Sequence, residues 1–290
     1  MNLKSVLKKW MLKKAFSKGI VFNLFYYYRH GYFPQIKRPR TFNEKINHRK
    51  RYSKNLLFCS CSDKIEVKNY VSKIIDNKYI IPTISIHNEI HEKDIIEAFN
   101  KYGPIVVKTN HDSGGVFIIN SLKDDLSHII EEINTRLKFK HGAILNEQWY
   151  VDIRPKVLIE QKLLGDTSDY KFHMFKRKDN TFNIVLQIDI DRDGNHTRTL
   201  YDENFIWLPF SLEKPCIHNN IEKPKNFDLM INLAKKLAEP FNYVRVDLYN
   251  IDGKIYFGEL TFSHGSGNEV FSTKGHDMWM GKLWELDPKN

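Results

Sequence analysis

The sequence predicts an α+β fold built in layers. Three observations carry this. Strand-type runs recur at irregular spacing, which excludes a repeat protein. Helical and strand-rich pieces are mixed rather than strictly alternating, which argues against a doubly wound parallel sheet. Near the C-terminus, Arg245-Val246-Asp247-Leu248-Tyr249, Asp252-Gly253 and Ile255-Tyr256-Phe257-Gly258-Glu259-Leu260-Thr261 read as a β-hairpin. An Asp-Gly turn between β-branched and aromatic runs is the strongest short-range hairpin signal.

The elements follow in order. Residues 1–30 read as one amphipathic helix or two, because Leu3, Val6, Leu7, Trp10, Met11 and Phe16 fall near helical spacing with lysines on the other face. Such a helix can dock on the domain with a solvated lysine face, the preferred reading, or lie on an anionic membrane surface. Phe25-Tyr26-Tyr27-Tyr28 continues the packing. Pro34, Pro39 and the basic run Lys37-Arg38-Pro39-Arg40 mark a loop. A helix is predicted over 41–54, with Thr41 and Glu44 as its capping box. Residues 63–75 are helical and 79–84 extended. Ile105-Val106-Val107-Lys108 is a buried-type strand. It runs into Asn110-His111-Asp112-Ser113-Gly114-Gly115, then into a strand over 116–120. A helix over 124–138 and a strand over 156–160 come next. Residues 170–175 and 182–190 form a strand pair around Lys178-Asp179-Asn180, and 226–238 is a helix closed by Pro240.

At 290 residues the chain can bury a full core, as one large or two modest domains. Its 41% hydrophobic and 28% charged content is ordinary for a globular protein. The formal charge of +10 suits an anionic partner: nucleotide, acidic polysaccharide, nucleic acid or membrane surface. Nucleic acid is the least expected, because the basic N-terminal residues lack the aromatic interleaving of a stacking surface. Cys59, Cys61 and Cys216 make no disulfide framework and no zinc spacing, so reduced thiols and a cytoplasmic setting are expected. No apolar run reaches membrane-spanning length, and lysines interrupt any would-be secretion signal.

Two constellations carry chemistry. Alternation puts Arg245, Asp247 and Tyr249 on one hairpin face, and pairing brings Glu259 and Thr261 to it. Two carboxylates and a hydroxyl on rigid strands suit a hard cation, with Arg245 for phosphate; a solvent-facing edge with a cross-strand Arg–Glu pair is the alternative. Lys108 ends a strand just before a glycine loop whose amides can approach phosphate, or which is an ordinary hairpin turn. There is no P-loop motif and no Rossmann fingerprint. Between these, Asp191-Arg192-Asp193-Gly194-Asn195-His196-Thr197-Arg198 is either a polar turn or a pair of arginines for an anionic substrate. Asp189-Ile190-Asp191 has the spacing of a nucleotide-sugar motif but flanks a turn, so it is a weak glycosyltransferase signal.

Taken in order, Asp63-Lys64, Lys108 with its glycine loop, Glu160, Asp169, Arg245-Val246-Asp247 and Glu259-Leu260-Thr261 resemble the ATP-grasp superfamily. Thr41-Phe42-Asn43-Glu44-Lys45-Ile46, Ser168-Asp169-Tyr170-Lys171-Phe172 and the hairpin look like its TupA-like family, associated with teichuronopeptide and capsular polysaccharide synthesis. The resemblance implies an ATP-grasp fold with nucleotide between two α+β subdomains. Its expected parts are a basic helical extension (1–55), an N-terminal subdomain (56–105), a glycine-loop subdomain (106–165) and a C-terminal subdomain with the metal hairpin (166–290).

It also implies roles. Lys64 and Lys108 would contact phosphates, and His111, Ser113, Gly114 and Gly115 would cover them. Glu160, Gln161 and Leu163 would form the adenine hinge, and Asp169, beside Lys171, would hold the ribose. Asp247, Glu259 and Thr261 would bind two magnesium ions, or manganese. Arg245 would neutralise the transferred phosphoryl group. Arg192, His196, Arg198 and His264 would face the acceptor. Thr261 stands where most ATP-grasp enzymes have Asn, and His264-Gly265 where many have Pro-Gly. The implied activity is ATP-dependent ligation of a carboxylate, such as a uronic acid, to an amine such as an amino acid. A kinase on the same fold is the runner-up. A peripheral place at the inner face of the membrane is compatible with the basic N-terminus.

Overall fold

The alternation of apolar and polar residues along each strand builds two antiparallel sheets, seen in a computed structural model that describes residues 19–165, 169–190, 195–216 and 221–286. The first sheet holds β1 (Thr83–His87), β2 (Ile105–Thr109), β3 (Val116–Ile119) and β4 (Val157–Gln161) in the order β1-β4-β2-β3. Helices Glu92–Tyr102 and Leu126–Arg136 cover one face, burying Ile95, Ala98 and Ile133 against Ile105, Val107 and Ile159. The subdomain boundary expected at 105/106 falls inside this unit: β1 pairs with β4, so residues 83–161 share one sheet.

The second sheet holds β5 (Asp169–Lys176), β6 (Phe182–Ile190), β7 (Thr197–Asp202), β8 (Trp207–Leu208), β9 (Tyr243–Ile251) and β10 (Lys254–Thr261), in the order β10-β9-β5-β6-β7-β8. Period-two alternation gives it two different faces. Phe172, Met174, Leu186, Val244, Val246 and Leu248 join the main core with helices Leu57–Ser62, Glu66–Ile74 and Phe227–Ala238. The other face is apolar at one end, where Phe175, Val185, Leu200 and Tyr243 pack against Phe42, Ile46, Met280 and Trp284. At its other end the same face carries Lys171, Gln187, Asp189, Arg245 and Asp247, all buried. Phe58, Val67 and Val71, within the expected N-terminal subdomain (56–105), pack in the core of the second sheet.

The predicted elements recur with small shifts. The helix Phe42–Tyr52 has its Thr41–Glu44 capping box, and the helix predicted over 63–75 occupies Glu66–Ile74. Of residues 79–84 only the end is strand; Asn77–Tyr79 is a turn of 3-10 helix. The helix Ile20–His30 docks through Phe22 and Tyr26 onto Ile36, while Ile20, Leu24 and Tyr28 stay exposed. Among the described residues, the helices Leu57–Ser62, Glu92–Tyr102, Gly142–Leu145, Gln148–Val151 and Lys274–Lys282 escaped the sequence reading. The three cysteines are unpaired, and among the described residues no helix is long and apolar enough to cross a membrane.

Candidate active site

A cleft of about 1350 Å³ takes its lining from both sheets. On one side stand Lys108 of β2 and Glu160 of β4, with Lys64 and Lys68 from the start of the helix Glu66–Ile74. On the other stand Asp169, Lys171, Asp189, Arg198, Arg245, Asp247, Glu259 and His264.

The hairpin is the hard-oxygen end. Asp252 and Gly253 both take positive φ, the geometry of a type I′ turn. Strict pairing from that turn would set Gly258 opposite Asp247 and send Glu259 to the other face. A bulge between Phe257 and Glu259 absorbs Gly258 and puts Glu259 opposite Asp247 and Thr261 opposite Arg245. Arg245 donates to both Asp247 oxygens at 2.7 Å and to Glu259 Oε1 at 2.7 Å, and Thr261 Oγ1 donates to that same oxygen at 2.9 Å. Burial, then repulsion from Glu259 and Asp169, pushes the Asp247 carboxyl up to about 8 against the pull of Arg245. Arg245 and Lys64 hold Glu259 down to about 2, against the cost of burial. One guanidinium shared between two facing carboxylates leaves this donor set short of positive charge, which fits a divalent cation. Among the described residues no group of three His, Cys, Asp or Glu could hold one alone. That pattern, two carboxylates with the remaining ligands from outside the protein, is the one magnesium takes with substrate phosphates.

The cationic wall combines Lys108 of the first sheet with Lys64 and Lys68 at the helix Glu66–Ile74. Lys108 meets Glu160 Oε2 at 2.6 Å and Lys68 meets Oε1 at 2.5 Å. Two lysines therefore share one buried acid, and their attraction holds it below the ordinary carboxylate range in spite of burial. Asp63 Oδ1 accepts from Ile65 N at 2.8 Å and so sets the turn that presents Lys64. Burial lowers the Lys64 pKa, and its ammonium donates to the Asp112 carbonyl.

The glycine loop is folded back on itself. Asp112 accepts from Thr109 Oγ1 and pairs with Arg136 at 3.0 Å. A Cβ at Gly115 would overlap Thr109 Oγ1, so only glycine permits this closure. Asn110 ties the loop to Asp63 at 3.0 Å and to the Lys156 amide at 2.7 Å.

Neighbouring strands place Lys171 beside Asp247, and Asp189 beside Arg198. Lys171 bridges Asp169 at 2.8 Å and Asp189 at 2.5 Å. Arg198 Nε donates to Asp189 at 2.8 Å, and its Nη1 reaches Glu269 at 2.6 Å and the Leu212 carbonyl at 3.0 Å. His264 meets Glu269 at 2.7 Å through Nε2 and Arg245 at 2.6 Å through Nδ1.

The sequence-predicted residues Lys64, Lys108, Ser113, Gly114, Glu160, Asp169, Lys171, His196, Arg198, Arg245, Asp247, Glu259 and His264 thus line one cleft. Thr261 lines a smaller adjoining cavity. His111, Gly115, Gln161 and Leu163 line neither: His111 is buried with Nε2 3.1 Å from the Phe139 carbonyl, and Gln161 is exposed at the end of β4. Arg198, expected to fork an acceptor carboxylate, has Nε and Nη1 taken by protein partners. Arg192 lies outside the described residues. Sequence reasoning missed Lys68, Gln187 and Glu269, and gave Asp189 only a weak nucleotide-sugar spacing. Lys68 carried a usable signal, one helical turn after Lys64; the acids of the network meet only through strand pairing.

The TupA-like ATP-grasp family profile matches residues 44–285, and the chain belongs to that family and has its α+β ATP-grasp fold. No curated protein matches. The fold is similar to D-alanine–D-alanine ligase from Helicobacter pylori, at 16% identity and TM-score 0.45, covering 71% of this chain and 55% of that one. It is also similar to D-alanyl-alanine synthetase A from Vibrio cholerae O1, at 14% and 0.44, covering 70% and 56%. N5-carboxyaminoimidazole ribonucleotide synthetase, solved with ADP, matches at 14% and 0.45, covering 71% and 45%. The chain spans about half the length of these enzymes.

Proposed function

We propose that this chain is an ATP-dependent carboxylate–amine ligase working through an acyl phosphate. The observation that carries the reading is the hairpin: Asp247 and Glu259 share Arg245 where the lysine-lined cleft meets a smaller cavity. Lys64, Lys68 and Lys108 line the wall of the cleft that a triphosphate would face. Asp247, Glu259 and Thr261 would hold magnesium, with manganese as a substitute; when bound, it neutralises phosphate oxygens and favours attack at phosphorus.

The chain's own residues bind, orient and shield. Lys108 and Lys64 hold phosphates, and the loop 110–115 keeps water from the reacting atoms. Arg245 stands where charge develops on the transferred group. A carboxylate oxygen attacks the γ-phosphorus, the bond to the bridging oxygen breaks, and ADP leaves. An amine nitrogen then attacks the acyl carbon, inorganic phosphate leaves, and the nitrogen gives up a proton.

Membership of the TupA-like family supports a uronic acid of a surface polysaccharide or its precursor as the acid, and an amino acid as the amine. The charge of +10 favours such an anionic acceptor. A cytoplasmic place, with the basic N-terminus against the membrane's inner face, accords with a membrane-linked acceptor. The test is ADP release across a panel of uronic acids and amino acids with magnesium. Acid-dependent ADP release together with an amide product is expected; ADP release that never yields an amide, whatever amine is supplied, counts against it.

A further inference from the structure

We propose that the exposed side of the helix Ile20–His30 is a docking surface for an anionic lipid bilayer. The proposal rests on the membrane placement given above and adds to it the surface that makes contact and the charge of the lipid. It does not depend on the ligase chemistry.

The helix is apolar on two sides. Phe22 and Tyr26 are buried against Ile36 and Tyr32. Arg29 fastens the C-terminal turn to Glu213 at 2.9 Å and to the Asn268 carbonyl at 3.1 Å. At about 100° per residue, Ile20, Val21, Leu24, Tyr27 and Tyr28 fall on the opposite side, across roughly a third of the circumference. Ile20 is 77% exposed, Leu24 56% and Tyr28 85%. Phe33, also exposed, extends the patch by stacking on Tyr27 at 4.7 Å. Asn23, Arg29 and His30, the polar residues of the helix, lie off this stripe. A helix that is apolar all round is ordinarily buried all round. Among the described residues only one side of this helix is covered.

Charge points to what covers the other side. Residues 1–43 hold ten lysines and arginines and no Asp or Glu, while residues 44–290 hold 35 of each sign. The whole formal charge of +10 therefore belongs to the segment that contains the helix. Lys4, Lys8, Lys9, Lys13, Lys14 and Lys18 precede it in sequence. Lys37, Arg38 and Arg40, all exposed, follow Ile36, on which the helix docks. Only Arg29 of the described cations here is held by an acid, Glu213.

A bilayer with anionic headgroups meets both needs at once. Its surface attracts the cations, and its acyl layer takes up Ile20 and Leu24 while the tyrosine rings sit at headgroup level. Nucleic acid would engage the cations and leave the apolar stripe in water. A second copy of the chain would set one cationic segment against another.

The test is co-sedimentation of the full chain with two kinds of vesicle: phosphatidylcholine alone, and phosphatidylcholine mixed equally with phosphatidylglycerol. Wild type is compared with the double variant Leu24→Gln, Tyr28→Gln, which keeps every cation and alters only exposed side chains. The expected result is binding to the mixed vesicles that weakens with added salt, by about tenfold or more without phosphatidylglycerol, and by about tenfold in the double variant. Equal binding by the double variant overturns the proposal and leaves the basic N-terminus at the membrane. No binding of wild type to the mixed vesicles overturns both. Binding indifferent to phosphatidylglycerol overturns the anionic partner. A dimer that the double variant dissociates assigns the stripe to a second copy, and an unfolding temperature lowered by several degrees without lipid assigns it to residues 1–18; either overturns the bilayer. Absence of ADP release with soluble uronic acids counts against the ligase reading alone. If the double variant does not fold, Ile20→Gln provides the same comparison, and unchanged binding in it also overturns the proposal.

Discussion

Asp189 is the point where Lys171, Arg198, Gln187 and His196 converge, at distances of 2.5 to 3.3 Å. Lys171, Arg198 and Asp189 have side chains less than a tenth exposed, so the charges must cancel within the protein. Asp189→Asn leaves Lys171 with only Asp169 and Arg198 with only Glu269 as acid partners, and is expected to cost about 1.5–3 kcal/mol in chemical denaturation. Those cations hold the Asp189 carboxyl below the usual carboxylate range, against the cost of burial. Its stabilisation is therefore complete above the unfolded-state pKa near 4 and is lost as pH falls through the lower native value. The stability gap between wild type and Asp189→Asn should shrink as pH drops below about 4; a gap independent of pH would contradict the ion network.

At the hairpin, Asp247→Asn and Glu259→Gln keep shape and remove charge. Each should reduce ADP release by at least about a hundredfold, if charge stabilisation of the transferred group is the main contribution. Cooperative unfolding should persist. Near-wild-type turnover at saturating magnesium would remove either residue from metal binding.

The elements show what a sequence can and cannot reveal. The hairpin, the Thr41–Glu44 cap and the strands over 105–109 and 157–161 were legible because each rests on local chemistry: a turn dipeptide, a capping pair, an apolar run. The bulge at Gly258 was not, because regular alternation gives no sign of an absorbed residue; yet the bulge is what turns Glu259 toward Asp247. The helix Glu92–Tyr102 was passed over because it buries only Ile95 and Ala98 and is capped by His91, an uncommon N-cap.

The glycine loop carries its own prediction. Gly115→Ala pushes a methyl into the Thr109–Asp112 contact, and overpacking of this kind costs about 1–3 kcal/mol. Because the loop faces the lysine wall, nucleotide affinity should fall by about tenfold, a larger effect than on unfolding temperature. Calorimetry with ATP and magnesium checks this, and unchanged affinity would place the loop outside the nucleotide site.

For the whole molecule, the decisive fact is that two sheets of opposite character face one cleft. The first supplies Lys108 and Glu160, and the helix Glu66–Ile74 adds Lys68 to the same acid. The second supplies acids on paired strands, backed by a core that keeps them in place. Neither half is chemically complete alone, and the sequence order of motifs showed the parts before it showed which faces met. Residues expected at the adenine hinge illustrate the limit, since Glu160 lies in the cleft while Gln161 and Leu163, next along the chain, do not line it.

The measurement that bears most directly on carboxylate activation is trapping of the acyl phosphate. Wild type is incubated with ATP, magnesium, hydroxylamine and each of a panel of uronic acids, and hydroxamate is quantified beside ADP. The account predicts hydroxamate in step with ADP for at least one acid, suppressed when a competing amino acid is added and absent in Asp247→Asn. A stable phosphorylated product that resists hydroxylamine, formed without any amine, would contradict it and identify a kinase instead.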